Sequence, residues 1–425
     1  MEPQGVTVRE RFEKKYVILA LLFMAKTIPQ IFFIMALPVI LRIEGYSLKT
    51  IGLLQLAGVP FLLKFLWAPL LDRKGLEKNH YKLWALFTGA GCGLLIVCMA
   101  FLNVGGQFPL VAGLVVVISF IGSTQDIAIS ALYIKLLDYE ERGLGSSSKI
   151  FAVNLATIIG SGFFLLLYNH FGWRPTMLGM AVSILLPLAL LGAVRENRQE
   201  RFDGTARQGG ISWSSLLTFF RGPGMLRWFS LIVLNSIGIF AVFFIVKPFL
   251  VDYGVDPDTI AFLVGFYGMG IAVLVAMATG LPAIQKYMLD RKKVYLGCVV
   301  FNAVAVALFI PLSVLNNVFF LFYIAMALLN TATTVSSVIS GVLVMDFSRK
   351  GFESIDYSLQ MTGIHIGGMV MAAFSGMIVE QTGYPLFFVL LTLVGVGLVV
   401  LTFFLFRGEW IPKAEYAAVH QEAPD

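Results

Sequence analysis

The chain has 425 residues, 58% of them hydrophobic and 13% charged, with a formal net charge of +6. Soluble globular chains carry about 25% charged residues, so this composition and a mean hydropathy of +0.85 exclude a water-soluble domain and make lipid the solvent. The basic excess lies in short loops, with no basic face or aromatic-basic module, so nucleic acid is not an expected partner.

A charged N-terminal segment leads into a full-length apolar span with no small-residue cleavage site, which reads as a first transmembrane helix and not a removable signal. Apolar windows long enough to cross about 30 Å of hydrocarbon fall near 16–41, 50–71, 83–103, 109–137, 148–168, 173–194, 226–250, 258–281, 294–314, 318–345, 356–379 and 385–406. Backbone groups in lipid must bond within their own segment, so the windows predict twelve helices. Twenty-four Lys and Arg residues fall in loops on one side of this alternation and three (Arg42, Lys49, Arg174) on the other. The positive-inside rule then puts both termini in the cytoplasm. Cys92, Cys98 and Cys298 fall within spans and read as buried small hydrophobes.

The polar stretch 195–225 divides the chain. The expected organisation is a six-helix bundle over 1–194, a cytoplasmic linker over 195–225, a second bundle over 226–408 and a cytoplasmic tail over 409–425. The two halves repeat one another. Gly45 followed by Thr50-Ile51 returns as Gly254 followed by Thr259-Ile260, at an offset of 209. Asp138 with Gly143 returns as Asp346 with Gly351, at 208, and LDRK at 71–74 returns at 289–292, at 218. Six is even, so the halves share one orientation. Parallel repeats about an axis along the membrane normal resemble the arrangement of the major facilitator superfamily. The repeated Asp-Arg pairs, Asp72-Arg73 and Asp290-Arg291, are gating candidates, since each carboxylate can meet a basic group or a helix N-terminus; the alternative is that their cations only enforce topology.

Ionisable groups in hydrocarbon are costly and mark function. Lys26 lies mid-span in the first helix and Asp126 in the fourth, and a pair between them lowers the burial cost of each. Protonation of Asp126 would break that pair, which suits proton coupling; a static pair that fixes helix packing is the alternative. Gln30, four residues after Lys26, and Gln125, beside Asp126, suit a polar substrate or helix–helix hydrogen bonds. Lys64 reads either as a substrate group or as a lysine snorkelling to the cytoplasmic headgroups, and Lys135 as the latter. Lys247 can attract an anionic solute from outside. His365 can titrate near neutrality or be packed neutral. Asn235 and Asn330 are further cavity candidates, ahead of Asn154 and Gln360. The surplus of cations over Asp126 points to a solute that is anionic or rich in oxygen acceptors, and the phenylalanines of IFF, SGFF and AVFF to an amphipathic or aromatic one. No nucleotide-binding fingerprint, HExxH or convincing Ser-His-Asp set is present. An enzyme is therefore not expected, nor is a metal or cofactor.

The segment KFLWAPLLDR from Lys64 to Arg73 resembles the signature of AmpG-like permeases of the major facilitator superfamily. STQDI at 123–127 and EERG at 140–143 are similar to motifs of the same group. The group includes muropeptide, acetyl-CoA and rhizobactin- or pyochelin-type siderophore permeases. The resemblance implies an all-α twelve-helix carrier of the bacterial inner membrane, moving solute by proton-driven alternating access. Ser130 stands where the group often has a second carboxylate, which places the coupling role on Asp126. Muropeptide permeases often carry extra helices, so siderophore uptake is the favoured reading, with muropeptide or acetyl-CoA-type anion transport as alternatives and a non-transporting receptor as a distant one. A monomer is the default.

Overall fold

The computed structural model describes residues 8–73, 79–191, 213, 215–222, 224–315 and 319–405. Most of the expected linker and all of the expected tail lie outside the described residues, as do Lys74, Lys78, Arg195, Arg198, Arg201, Arg207, Arg407 and Lys413. Every regular element described is helical. Eleven helices among the described residues are long and apolar enough to cross a membrane. Ten are α1 (Lys15–Ile43), α2 (Lys49–Leu66), α3 (His80–Met99), α4 (Phe108–Leu136), α5 (Tyr139–Phe171), α6 (Trp173–Leu191), α7 (Met225–Asp252), α8 (Asp258–Thr279), α9 (Arg291–Val314) and α10 (Phe320–Asp346). The eleventh, Phe374–Leu405, is the end of a 53-residue stretch, α11 (Glu353–Leu405), which covers the window 356–379 and all but the last residue of 385–406. Gly383 interrupts that stretch at φ 75°, a left-handed conformation that favours glycine. The count from length and apolarity is therefore one lower than the sequence windows predict.

The repeated Gly–Thr–Ile turn is the same structure twice. Gly45 (φ 88°) and Gly254 (φ 83°) end α1 and α7 in the left-handed region. Ser47 Oγ then accepts from Thr50 N at 3.2 Å, and Asp256 Oδ1 from Thr259 N at 2.9 Å, so each next helix starts on a side-chain cap.

The chain divides into two compact units. In the first, α3 packs on α4 and α6, and α1 on α4 and α6. Its core holds Leu22, Phe23, Phe32, Ile96, Ile118 and Ile184. In the second, α10 packs on α8 and α9. Phe249, Phe309, Phe322, Phe387 and Phe388 fill its core. The units do not follow the sequence halves. Residues 349–358 of the second half belong to the first unit, and residues 138–150 of the first half belong to the second. At the repeat offset of 208 these exchanged segments overlap, 141–150 matching 349–358.

Candidate functional site

Within the first unit, Asp126 on α4 receives two lysines. Lys26 Nζ on α1 donates to Oδ1, and Lys64 Nζ donates to Oδ2 at 2.5 Å. Lys64 reaches inward because a 3-10 turn at Lys64–Leu66, between the short helices Val59–Leu63 and Ala68–Asp72, aims its stem at α4. Its side chain is 3% exposed and that of Lys26 is 10%. Snorkelling is therefore not its arrangement. Aromatic rings flank the cations: Lys26 Nζ lies 5.3 Å from the Phe23 ring centroid and Lys64 Nζ 5.2 Å from that of Tyr357. Such contacts are worth about 2 kcal/mol when desolvated. Two ammonium groups share one carboxylate here. If all three are charged, the set carries a net positive charge suited to an incoming anion.

The same unit holds a second polar centre. Asp72 is buried at the end of Ala68–Asp72 and caps the start of α11. Its Oδ1 accepts from Ser354 N at 3.0 Å and its Oδ2 from Ile355 N at 2.9 Å. Tyr81 on α3 donates to Oδ1 at 2.7 Å. Burial, and then the neighbouring Glu353, push the Asp72 carboxyl up to about 7. Burial also raises Glu353, against a hydrogen bond from Gly351 N. Arg349 holds the segment's turn by a two-pronged bond to Asp356, at 2.7 Å and 2.8 Å.

In the second unit the exchanged segment is held by guanidinium groups. Arg291, at the start of α9, donates from Nε to Asp346 Oδ2 at 3.0 Å and from Nη2 to Tyr139 O at 2.8 Å. Arg142 donates to Asp346 Oδ1 at 2.8 Å. Ser146 donates to Val338 O at 2.7 Å.

The remaining sequence candidates are dispersed. Gln30 lines a pocket with Phe33, Gln55, Phe61 and Ser119. Gln125 turns away from its neighbour Asp126, and its Nε2 lies 2.6 Å from where a Cβ on Gly89 of α3 would stand. Asn235 accepts from Asn302, and Asn330 donates to Met326 O. Lys247 and His365 are exposed, and the His365 ring bonds one turn back to Met361 O. Arg73 is exposed. Asp290 meets a helix N-terminus and a basic group, as expected, but within its own helix and not on a distant segment as Asp72 does. It caps its own helix at Lys293 N and pairs with Lys293 Nζ at 2.7 Å on the surface, because the main chain turns into α9 there. The hydrogen bond from Lys293 holds its carboxyl below the usual range. Tyr81, Glu353, Tyr357 and Asp346 were not among the sequence candidates. Only Asp346 had a signal, its repeat of Asp138.

These features have a known setting. The chain belongs to the Major Facilitator Superfamily, whose family model matches residues 16–288 and 233–422. It is a multi-pass membrane transporter of that family. It is 26% identical over 357 residues to the anhydromuropeptide permease of Escherichia coli K12, covering 82% of this chain and 71% of that protein. It is 24% identical over 371 residues to putative transporter AmpG 1 of Rickettsia bellii, covering 83% and 88%. In fold it is similar to the human organic anion transporter MFSD10, with a TM-score of 0.71 at 13% identity over 92% of this chain and 99% of that one. The proton:xylose symporter XylE gives 0.64 at 14% identity over 97% and 100%.

Proposed function

We propose that the chain imports an anionic, amphipathic solute of the anhydromuropeptide class across a bacterial inner membrane, with Asp126 coupling uptake to protons. The observation that carries this reading is the Lys26–Asp126–Lys64 set. An anion that draws Lys26 away leaves Asp126 with one cation and nearer to taking a proton. The resemblance to anhydromuropeptide permeases favours this solute over the siderophore that the helix count suggested. Alternating access then requires residues 349–358 to leave Asp72, and 138–150 to leave Asp346, in turn; Asp72 and Arg291 are the gating members of the sequence set. A straight helix of 53 residues would run about 80 Å, more than twice the hydrocarbon thickness of about 30 Å. We therefore read α11 as two passes turning at Gly383, which restores twelve passes, both termini in the cytoplasm and a linker between six-helix halves. The working unit is a monomer.

The test is uptake of labelled anhydromuropeptide and of a ferric siderophore into inverted and right-side-out vesicles carrying an imposed proton gradient. Muropeptide accumulation that collapses with the gradient and in Asp126→Asn supports the reading. Accumulation of the siderophore alone, or undiminished uptake by Asp126→Asn, refutes it.

A further inference from the structure

The cluster under the start of α11 has more acceptors than protons. Tyr81 Oη lies 2.7 Å from Asp72 Oδ1 and 3.2 Å from Glu353 Oε2. One hydroxyl carries one proton and cannot serve both contacts fully. Asp72 already accepts from two backbone N–H groups and from Tyr81, while among the described residues Glu353 accepts from Gly351 N at 3.0 Å and from its own backbone N–H. Both carboxyls are buried, and no cation bonds Glu353 among the described residues. A helix N-terminus offers about half a positive charge, which one carboxylate, Asp72, already meets. A second buried anion beside it would have no bonded cation among the described residues, only the through-space charge of Lys135 and local backbone N–H groups. Ser354 Oγ is buried in the same cluster, beside Asp72 and Tyr81.

We infer that Glu353 is a proton-binding site: while residues 349–358 are docked, its carboxyl holds a proton and donates it to Tyr81 Oη, which donates to Asp72. This goes beyond the assignment of Asp126 and does not depend on which solute is carried. The other charged neighbours are accounted for. Lys135 on α4 stands 5.5 Å from the Tyr81 ring and acts on Glu353 only through space. His80 bonds to Leu71 O at 2.7 Å, and Arg349 and Asp356 satisfy one another. Burial raises the docked Glu353 carboxyl. A group raised in the docked state favours docking below its undocked pKa, and that contribution is lost as pH rises through the docked value. Cytoplasmic alkalinisation therefore removes the proton, leaves two adjacent anions and releases the segment, with the docked-to-released ratio falling about tenfold per pH unit for one proton.

The experiment is infrared spectroscopy of the purified full-length protein, reading the carbonyl stretch of protonated carboxylic acids near neutral pH. Glu353→Gln keeps the shape and offers an N–H to Tyr81 Oη. It should remove one protonated-acid band, and thermal stability should become flatter with pH above neutrality. Tyr81→Phe leaves both carboxyls in place and should shift that band, because the acid loses its acceptor. A band unchanged in Glu353→Gln, lost instead in Asp72→Asn, or unmoved in Tyr81→Phe would each overturn the assignment. None of these readings involves transport, so they stand apart from the fate of the muropeptide reading.

Discussion

Residues 138–150 and 349–358 overlap at the repeat offset, 141–150 matching 349–358, yet opposite chemistry holds them. The later segment offers bare backbone N–H groups at a helix start, and a carboxylate from the other half, Asp72, caps them. The earlier segment has its own cap: Asp138 and Glu141 form a capping box around Tyr139–Glu141. No carboxylate is needed from outside, and docking falls to Arg291 and Arg142 on Asp346, and to Ser146 on Val338 O. A guanidinium stays charged at every relevant pH. Buried carboxyls do not. The duplication thus preserved where two segments dock while changing the groups that hold them, a carboxylate on backbone N–H groups in one and guanidinium groups on a carboxylate in the other.

The largest effect is expected where the permanent charges lose their partner. Asp346→Asn leaves Arg291 buried with a neutral amide in place of its anion. Removing one partner of a buried pair costs about 3–5 kcal/mol. Thermal denaturation in detergent should show a drop in Tm well beyond that of any carboxyl variant at Asp72, and a smaller drop would mean that Arg142 and Arg291 find water. Next is Gly341→Ala. A Cβ there would stand 2.4 Å from Ser146 Oγ, the atom that bonds Val338 O. Overpacking of this kind costs about 1–3 kcal/mol, and pairing it with Ser146→Ala should recover part of the loss, because the clashing oxygen is gone.

Asp72→Ala should come third. It removes a cap worth about 0.5–2 kcal/mol, and it also frees Glu353 from a neighbouring anion, which offsets part of the loss. The comparison sharpens with pH. Destabilisation by Asp72→Ala should shrink as pH rises, since the wild-type cluster is itself losing its proton there; by the same logic Asp346→Asn should be pH-independent over that range. Differential scanning at neutral and alkaline pH checks both, and parallel pH profiles would refute the division into sensitive and insensitive dockings.

The spans, the two-half repeat and the Lys26–Asp126 pair were legible in the sequence because lipid penalises charge so heavily that two buried ions must find one another. The third member, Lys64, was not, since its direction depends on the 3-10 turn at Lys64–Leu66, and nothing in an apolar run sets helix rotation before packing does. Between its two readings Gln125 was open for a related reason: one residue along a helix is about 100° around it, so a neighbour of Asp126 faces elsewhere, here toward Gly89 of α3. Tyr81, Glu353 and Tyr357 left no trace, because a tyrosine or glutamate at a helix start is ordinary until a distant segment covers it. The difference between Asp290 and Asp72 had a signal in the sequence. Its offset of 218 is out of step with 208 and 209 for the other repeats, and the short helix Pro282–Met288 lies in the intervening stretch.

That difference gives the smallest and most discriminating prediction. If motif similarity decided function, Asp290→Ala would match Asp72→Ala. The structure assigns it otherwise: its side chain is 46% exposed and its contacts are Lys293 N at 3.3 Å and Lys293 Nζ. Both contacts are local, water replaces them, and the pair is screened. The expected change is within about 0.5 kcal/mol, with uptake unchanged. Arg291→Lys in the same background should nonetheless be harmful, because a lysine cannot reach Asp346, Met288 O and Tyr139 O together from one planar fork. An Asp290→Ala variant as damaged as Asp72→Ala would mean that the two LDRK copies share a gating role after all, in a conformation where Asp290 turns inward.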